Sequence, residues 1–560
     1  MTERRPTFGS RGRRPISAVA VLTAAAVLVI GGCTPPGLPP PQSPLAATSG
    51  PTSATGSQTI TVGIDGPVNG FNPYAIADFS PAARAVDALV LPSVSQVQAD
   101  GRTAFDDVLV DSATVTNSDP FTVTYQLDRN AAWSDGTPVT AEDFRYLQQQ
   151  MTAVVGTTGA APYRSISQIR SLDAGKKVQV VFRTPVRDWP TMFSPLLPAH
   201  ILKDAPGGFT TALANGIPVS AGPYRVESAD RGTGLISLVR NDKYWGKQPG
   251  PSNVVLRIGT GSELVAALER GDVQALLFQP GSAAAERLSS TVPADRLISV
   301  PVPATTQLVF DTRSGPTASP AVRAAVANGL DRAAIADSLT ASRSSGTRAV
   351  TSMVRLPVQS GAPAGPLLEP GDGAAAGAEL RAAGYDTTGL YARKNSVPLR
   401  VLLGYPSGDP RLASTARVVQ QQLGGVGIEV DLLVDSPGAI IDRLSVRQID
   451  IALLTIPRGR SDAVSAASAF GCPPVDGPRA GNIGGYCSAA TEPALAAGLA
   501  GRGDVSAADR QLWADHPVIP LGQPIAVFAV SPSLARVAAA DGPGWLWTGP
   551  LGNLPAWPAG

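Results

Sequence analysis

AGPYRVESADRGTGLISLVRNDKYWGKQP, residues 221–249, is the stretch on which the reading of the fold turns. Tyr224, Val226 and Glu227 begin a strand, Gly232 to Gly234 makes a tight turn, and Leu235 to Val239 returns as a second strand. A glycine-rich turn between two such runs is a hairpin signal. Tyr244 and Trp245 then stand against Gly246 and Pro249, which turn the chain away again.

Working outward, FTVTYQL (121–127) reads as a strand that leads into WSDGTPVTAEDF (133–144). There Asp135-Gly136 is a turn, and Thr140 caps a helix with Asp143 three residues on, close to a capping box. Asp135 and Asp143 are read as structural, and so is His200 in PLLPAHIL (195–202). On the other side, VVLRIG (254–259) is a strand, and SELVAALER has helical apolar spacing that ends at Gly271-Asp272. SPAVRAAVANGLDRAAIADSL (319–339) reads as one helix, with Ser319 as cap and Pro320 at the first helical position. Residues 397–435 alternate strand, long helix and strand, and IDIALLT (449–455) adds another strand, which argues for an α/β lobe.

The strings W.DG.P.TA.DF, GPY…RN..YWG..P, D..VR.A...ALDR and A..LL..AGY, in this order along the chain, resemble family 5 solute-binding proteins. These are the oligopeptide- and dipeptide-binding lipoproteins of bacterial transporters. The resemblance runs from residue 58 to about 530 and includes QLWADHPVIPL (511–521). It implies an α/β, two-lobed periplasmic-binding-protein fold of type II, with an extra subdomain in the first lobe. Residues 58–84, 190–303 and 515–560 would form the first lobe, 85–189 the extra subdomain and 304–514 the second lobe. Two strands would cross between lobes, near 303–306 and 512–518, and ligand would close the lobes around the cleft.

Composition agrees with a large binding protein. A chain of 560 residues is too long for one core, so two or three domains are expected. Lys and Arg number 45 against 44 Asp and Glu, which leaves no electrostatic footprint for nucleic acid. Residues 1–33 read as a leader. Arg4, Arg5, Arg11, Arg13 and Arg14 precede an apolar run, Ala18 to Ile30, that is short for a membrane span. The run ends at Gly31-Gly32-Cys33, which resembles the bacterial lipobox, where the cysteine is diacylated and becomes the mature N-terminus. Arg13-Arg14 leaves Sec and twin-arginine export both open. Residues 34–57 have almost nothing to bury and read as a Pro/Ser-rich tether. The body is therefore expected at the extracytoplasmic face of the cell membrane, as a monomer.

The remaining cysteines, Cys472 and Cys487, would close a loop of about 15 residues in an oxidising compartment. They are expected to form a disulfide, worth roughly 3 kcal/mol in the chain-entropy model. No further cysteine or histidine lies near enough to complete a zinc site. The chain has two His, His200 and His516, both in proline-flanked strings, so no Ser-His or Cys-His set is credible. No Walker or dinucleotide fingerprint appears. The chain reads as a binder, not an enzyme, with no cofactor and no metal.

The resemblance also places candidate ligand-binding residues. Tyr74 and Asp78 fall in the first loop, which lines the family's cleft, and Thr455 ends a strand beside it. In peptide-binding members an acidic residue in the segment after that strand pairs with the ligand's amino terminus. Here that position falls on Gly459, between Arg458 and Arg460, with Asp462 available if the loop has shifted. An amine in a basic site would be repelled, whereas arginines can fork onto a phosphate or carboxylate or remain solvated loop charges. Within the family the chain looks closest to actinobacterial lipoproteins of the LpqW type. That branch is linked to control of phosphatidylinositol mannoside and lipoarabinomannan assembly. Three readings follow. One is a receptor for a phosphatidylinositol mannoside intermediate, another a peptide or solute receptor of an ABC importer, and the last a degenerate-cleft protein that docks a membrane mannosyltransferase.

Overall fold

The computed structural model describes residues 58–339, 348–359, 371–474, 477–540, 542 and 544–558. Cys33, the leader and the tether lie outside the described residues.

The opening hairpin is the edge of a seven-stranded sheet. From the far side the strands run Leu297–Pro301, Ile525–Val530, Ala275–Phe278, Thr59–Ile64, Asn253–Ile258, Leu235–Arg240 and Tyr224–Asp230. The hairpin pairs Tyr224 with Arg240 and Asp230 with Leu235, with a bulge between Val226 and Ser228. Its turn needs glycine at 234, where φ is 68° and a Cβ would come within 3.0 Å of the Ile258 carbonyl oxygen. Thr59–Ile64 runs parallel to both of its neighbours. Its Ile60, Val62 and Ile64 join Tyr224, Leu256 and Phe528 in the largest apolar core.

A second sheet has five strands in the order Glu429–Asp435, Arg400–Pro406, Ile451–Pro457, Ala304–Phe310 and Val518–Gly522. The first two are parallel and are joined by helix Pro410–Gly425, whose Asp409 cap accepts from the Arg411 amide. A smaller antiparallel sheet of four strands, within Val110–Phe182, packs on helix Ala141–Ala153. Thr140 and Asp143 form the capping box there. Asp143 accepts from the amides of Thr140 (2.9 Å) and Ala199 (3.0 Å), which ties the WSDGTPVTAEDF and PLLPAHIL strings together. Burial lifts its carboxyl to about 6 despite those bonds. His200 Nε2 lies 2.7 Å from Asp135 Oδ2, beside the buried Trp133.

Three sequence expectations are corrected. The segment 319–339 is two helices, Pro320–Gly329 and Arg332–Leu339, not one. The break follows Gly329, and Asp331 starts the second helix by accepting from the Ala334 amide. Ser319 precedes the first helix without a side-chain capping bond. The second crossing between the sheets lies at Gln523–Pro524, downstream of 512–518. Val518–Gly522 pairs with Ala304–Phe310 in the second sheet, and Ile519 and Leu521 bury there against Leu308 and Phe310. Ile525–Val530 then joins the first sheet. The first crossing is Val302–Pro303, and Gln523 Nε2 donates to the Val302 carbonyl at 3.0 Å, which binds the two crossings together.

Candidate ligand cavity

Between the two sheets' lobes lies a cavity of ≈ 670 Å³, within the usual range for ligand sites. The first lobe contributes the loop around Asn72–Phe79 and the helix Pro81–Val90. It also supplies the hairpin of Ser95–Val97, the Tyr244–Lys247 turn and the tail around Trp547–Ala556. The second lobe contributes Ile456–Ser461 and one face of helix Asp462–Phe470. The lobes are closed on each other. Ser468 Oγ accepts from the Ala161 amide at 2.9 Å, and the Ala480 carbonyl accepts from the Gly156 amide at 2.8 Å.

The expected ligand residues separate into two groups. Tyr74, Asp78, Arg458, Gly459 and Arg460 all line the cavity. Tyr74 donates its hydroxyl to the Pro195 carbonyl at 2.5 Å. Asp78 accepts from the Asn72 amide at 3.0 Å, and burial raises its carboxyl to about 6, opposed by that bond and by Arg231. Thr455 does not line the cavity; its hydroxyl pairs across the sheet with Thr306 at 3.0 Å. Asp462 does not line it either. Its carboxylate meets Arg355 Nε at 3.2 Å and Gln359 Nε2 at 2.8 Å, on the far side of its helix from the cavity-lining Val464, Ser465 and Ser468.

The two arginines flanking Gly459 differ. The Arg458 guanidinium donates to the buried Met353 carbonyl, so it braces the segment from behind. Arg460 reaches across to the first lobe and donates to Ser95 Oγ at 3.0 Å and Thr103 Oγ1 at 3.2 Å. No carboxylate pairs with it among the described residues, and desolvation pushes its guanidinium down to about 10. The Gly459 amide donates to Ser465 Oγ at 3.1 Å, and no acidic side chain stands at that position.

Sequence reasoning missed Arg84 and Asp87, both on the cavity wall. The signal was present in PAARAVDALV. Asp87 falls on the same stripe as Ala83, Val86 and Val90, which are buried, so a carboxylate sits where an apolar residue belongs. It also missed what the tryptophan-rich tail does. Trp545 and Trp557 pack on Phe528 at 5.5 and 6.0 Å between ring centroids, and that anchorage lays Trp547, Thr548 and Asn553 along the cavity.

The Cys472–Cys487 disulfide is formed. Its loop carries Arg479, whose carbonyl accepts from Arg164 Nη2 at 3.2 Å, and Gly481, which lines the cavity. Among the described residues no group of His, Cys, Asp or Glu could hold a metal ion, and no helix is long and apolar enough to cross a membrane.

Comparison with known proteins places this geometry. Residues 107–473 match the bacterial extracellular solute-binding proteins, family 5 Middle. The chain is 33% identical over 499 residues to the probable monoacyl phosphatidylinositol tetramannoside-binding protein LpqW of Mycobacterium tuberculosis, covering 82% of this chain and 78% of that one. It is 26% identical to the oligopeptide-binding protein OppA of Mycobacterium bovis, over 93% of this chain and 91% of that one. The oligopeptide-binding protein AppA from Bacillus subtilis, solved with a nonapeptide, superposes with a TM-score of 0.71 at 15% identity, over 90% of this chain and 99% of that one. The chain belongs to the family 5 bacterial solute-binding proteins and has their two-lobed α/β fold of type II.

Proposed function

We propose that the protein is an extracytoplasmic, lipid-anchored receptor that takes the anionic head group of a phosphatidylinositol mannoside in the cavity, without catalysing a reaction. The observation that carries this reading is Arg460. It is a guanidinium in the cavity wall, held by two hydroxyls and paired with no carboxylate among the described residues. A desolvated cation of that kind favours a phosphate. The absence of a carboxylate at Gly459 removes the partner that a peptide amine would need. The similarity to LpqW supports the same ligand class, and anchoring through Cys33 rests on the lipobox.

Two other readings remain. A peptide receptor of an ABC importer is favoured by the OppA similarity and by the acidic Asp78 and Asp87 in the wall. A degenerate-cleft partner of a membrane mannosyltransferase fits poorly with an open volume of ≈ 670 Å³. Titration of phosphatidylinositol mannoside in detergent micelles into wild type and Arg460→Ala tests the proposal. A charge-assisted contact is worth roughly 1.5–3 kcal/mol, so affinity should fall about tenfold or more at low salt. Unchanged affinity, or tight binding of oligopeptides by the wild type in its place, would sink it. Arg458 is left intact because it braces the segment.

A further inference from the structure

Asp87 stands on the cavity side of helix Pro81–Val90 and is only 8% exposed. Its Oδ1 has no hydrogen-bond partner among the described residues. Buried polar atoms are almost always partnered, so an unpartnered one on the wall of a cavity marks the place of a ligand atom. Its neighbours do not supply the partner. Arg84, one helical turn earlier, donates to the Trp547 carbonyl at 2.6 Å and lies over the Phe79 ring. Asp78 is held by the Asn72 amide, and the Tyr74 hydroxyl is held by the Pro195 carbonyl.

We propose that the Asp87 carboxyl accepts a hydrogen bond from a hydroxyl of the bound molecule, which makes this wall a polyol subsite for a sugar or inositol ring. The inference rests on the glycolipid reading above and deepens it. The Arg460 anchor comes from the second lobe and the hydroxyl acceptor from the first, so one ligand carrying both a phosphate and sugar hydroxyls would bridge the lobes. A hydroxyl suits the site better than an ammonium. Burial, and then repulsion from Asp78, hold the Asp87 carboxyl well above the usual carboxylate range, with Arg84 opposing. A carboxyl that keeps its proton can both give and take a hydrogen bond, as a hydroxyl can, whereas an ammonium would need the ionised form and would face Arg84.

The test is calorimetric titration of the full chain and its Asp87→Ala and Asp87→Asn variants. The probes are phosphatidylinositol mannoside micelles and trialanine, each in two buffers of different ionisation heat. The expected result is a loss of about tenfold in glycolipid affinity for Asp87→Ala. Asp87→Asn, which keeps an acceptor, should lose only a few-fold, with no proton exchanged on binding. Thermal melts show whether Asp87→Ala folds, and the isosteric Asn variant carries the test if it does not. Should the wild type bind glycolipid and both variants bind it within twofold, the receptor reading stands and the subsite falls. Should the wild type bind trialanine with proton release, and Asp87→Asn lose it a hundredfold, Asp87 is an amine anchor and both readings fall. Binding of neither probe by the wild type overturns both as well.

Discussion

Arg411 is the residue whose removal should open the protein. It is the second residue of helix Pro410–Gly425 in the second lobe, and its Nη1 reaches Asp65 Oδ2 in the first lobe at 3.3 Å. The same atom donates to Gln279 Oε1, also in the first lobe, while Nε holds Asp409 of its own lobe at 3.1 Å. The pair is shielded, with side-chain exposures of 25% for Arg411 and 13% for Asp65. Burial raises the Asp65 carboxyl, and Arg411 is the main opposing influence. Arg411→Ala therefore leaves Asp65 desolvated beside Asp409 in the closed form, but hydrated once the lobes part. Contacts with Asp409 exist in both forms and cancel. The two bonds across the cleft, at roughly 1.5 kcal/mol or more each, shift the balance toward opening by about 3 kcal/mol, on the order of a hundredfold. Small-angle scattering of the unliganded variant should show a larger radius of gyration. Stopped-flow release of bound ligand should quicken by ten- to a hundredfold, with Arg411→Lys in between. If the alanine variant scatters like wild type and releases ligand at the wild-type rate, the clamp contributes nothing to closure.

Cys472→Ser/Cys487→Ser frees a loop with a sequence separation of 15 and should cost roughly 3 kcal/mol in denaturant unfolding; a loss below about 1 kcal/mol would mean the loop is held by its other contacts. Asp143 supplies a pH signature. Its folded carboxyl titrates near 6 against an ordinary 3.8, so the folded state holds a proton that the unfolded chain loses between about pH 4 and 6. Its stabilising contribution is thus present below that window and is lost as pH rises through it. Asp143→Asn, which can accept only one of the two backbone donors, should be less stable than wild type at pH 4. The gap should narrow by up to ~3 kcal/mol by pH 6.5 in urea titrations; a constant gap would refute the assignment.

Much of the scaffold could be read from local chemistry. The Gly232–Gly234 turn, the Thr140–Asp143 box and the strand–helix–strand of 397–435 each follow from contacts within a few residues, and each is found as read. Failures came where distant pairing decides. The run VIPL is equally apolar in either sheet, and only the register with Ala304–Phe310 assigns it to the second. Arg458 and Arg460 look alike in sequence, and two residues apart they would share one face of an extended strand; the strand ends at Pro457 and the chain bends at Arg460, which sends one toward Met353 and the other toward Ser95. The site itself was half legible. The first loop and the Gly459 segment were found by their place in the family pattern. Asp87 was visible only as a charged residue on a buried stripe, and the role of the tail depended on where Trp545 and Trp557 dock.

The strand Ile525–Val530 is inserted between Ala275–Phe278 and Leu297–Pro301. Its consequence lies in the order of assembly. A chain made from its N-terminus holds the whole second-lobe sheet by residue 522, while the first-lobe sheet still lacks an interior strand. Leu297–Pro301 pairs only with that late strand, so it has no ladder to join until then. The second lobe can thus condense early, and the cavity, walled partly by residues beyond 544, is completed among the last events. Closing so long a loop is entropically slow.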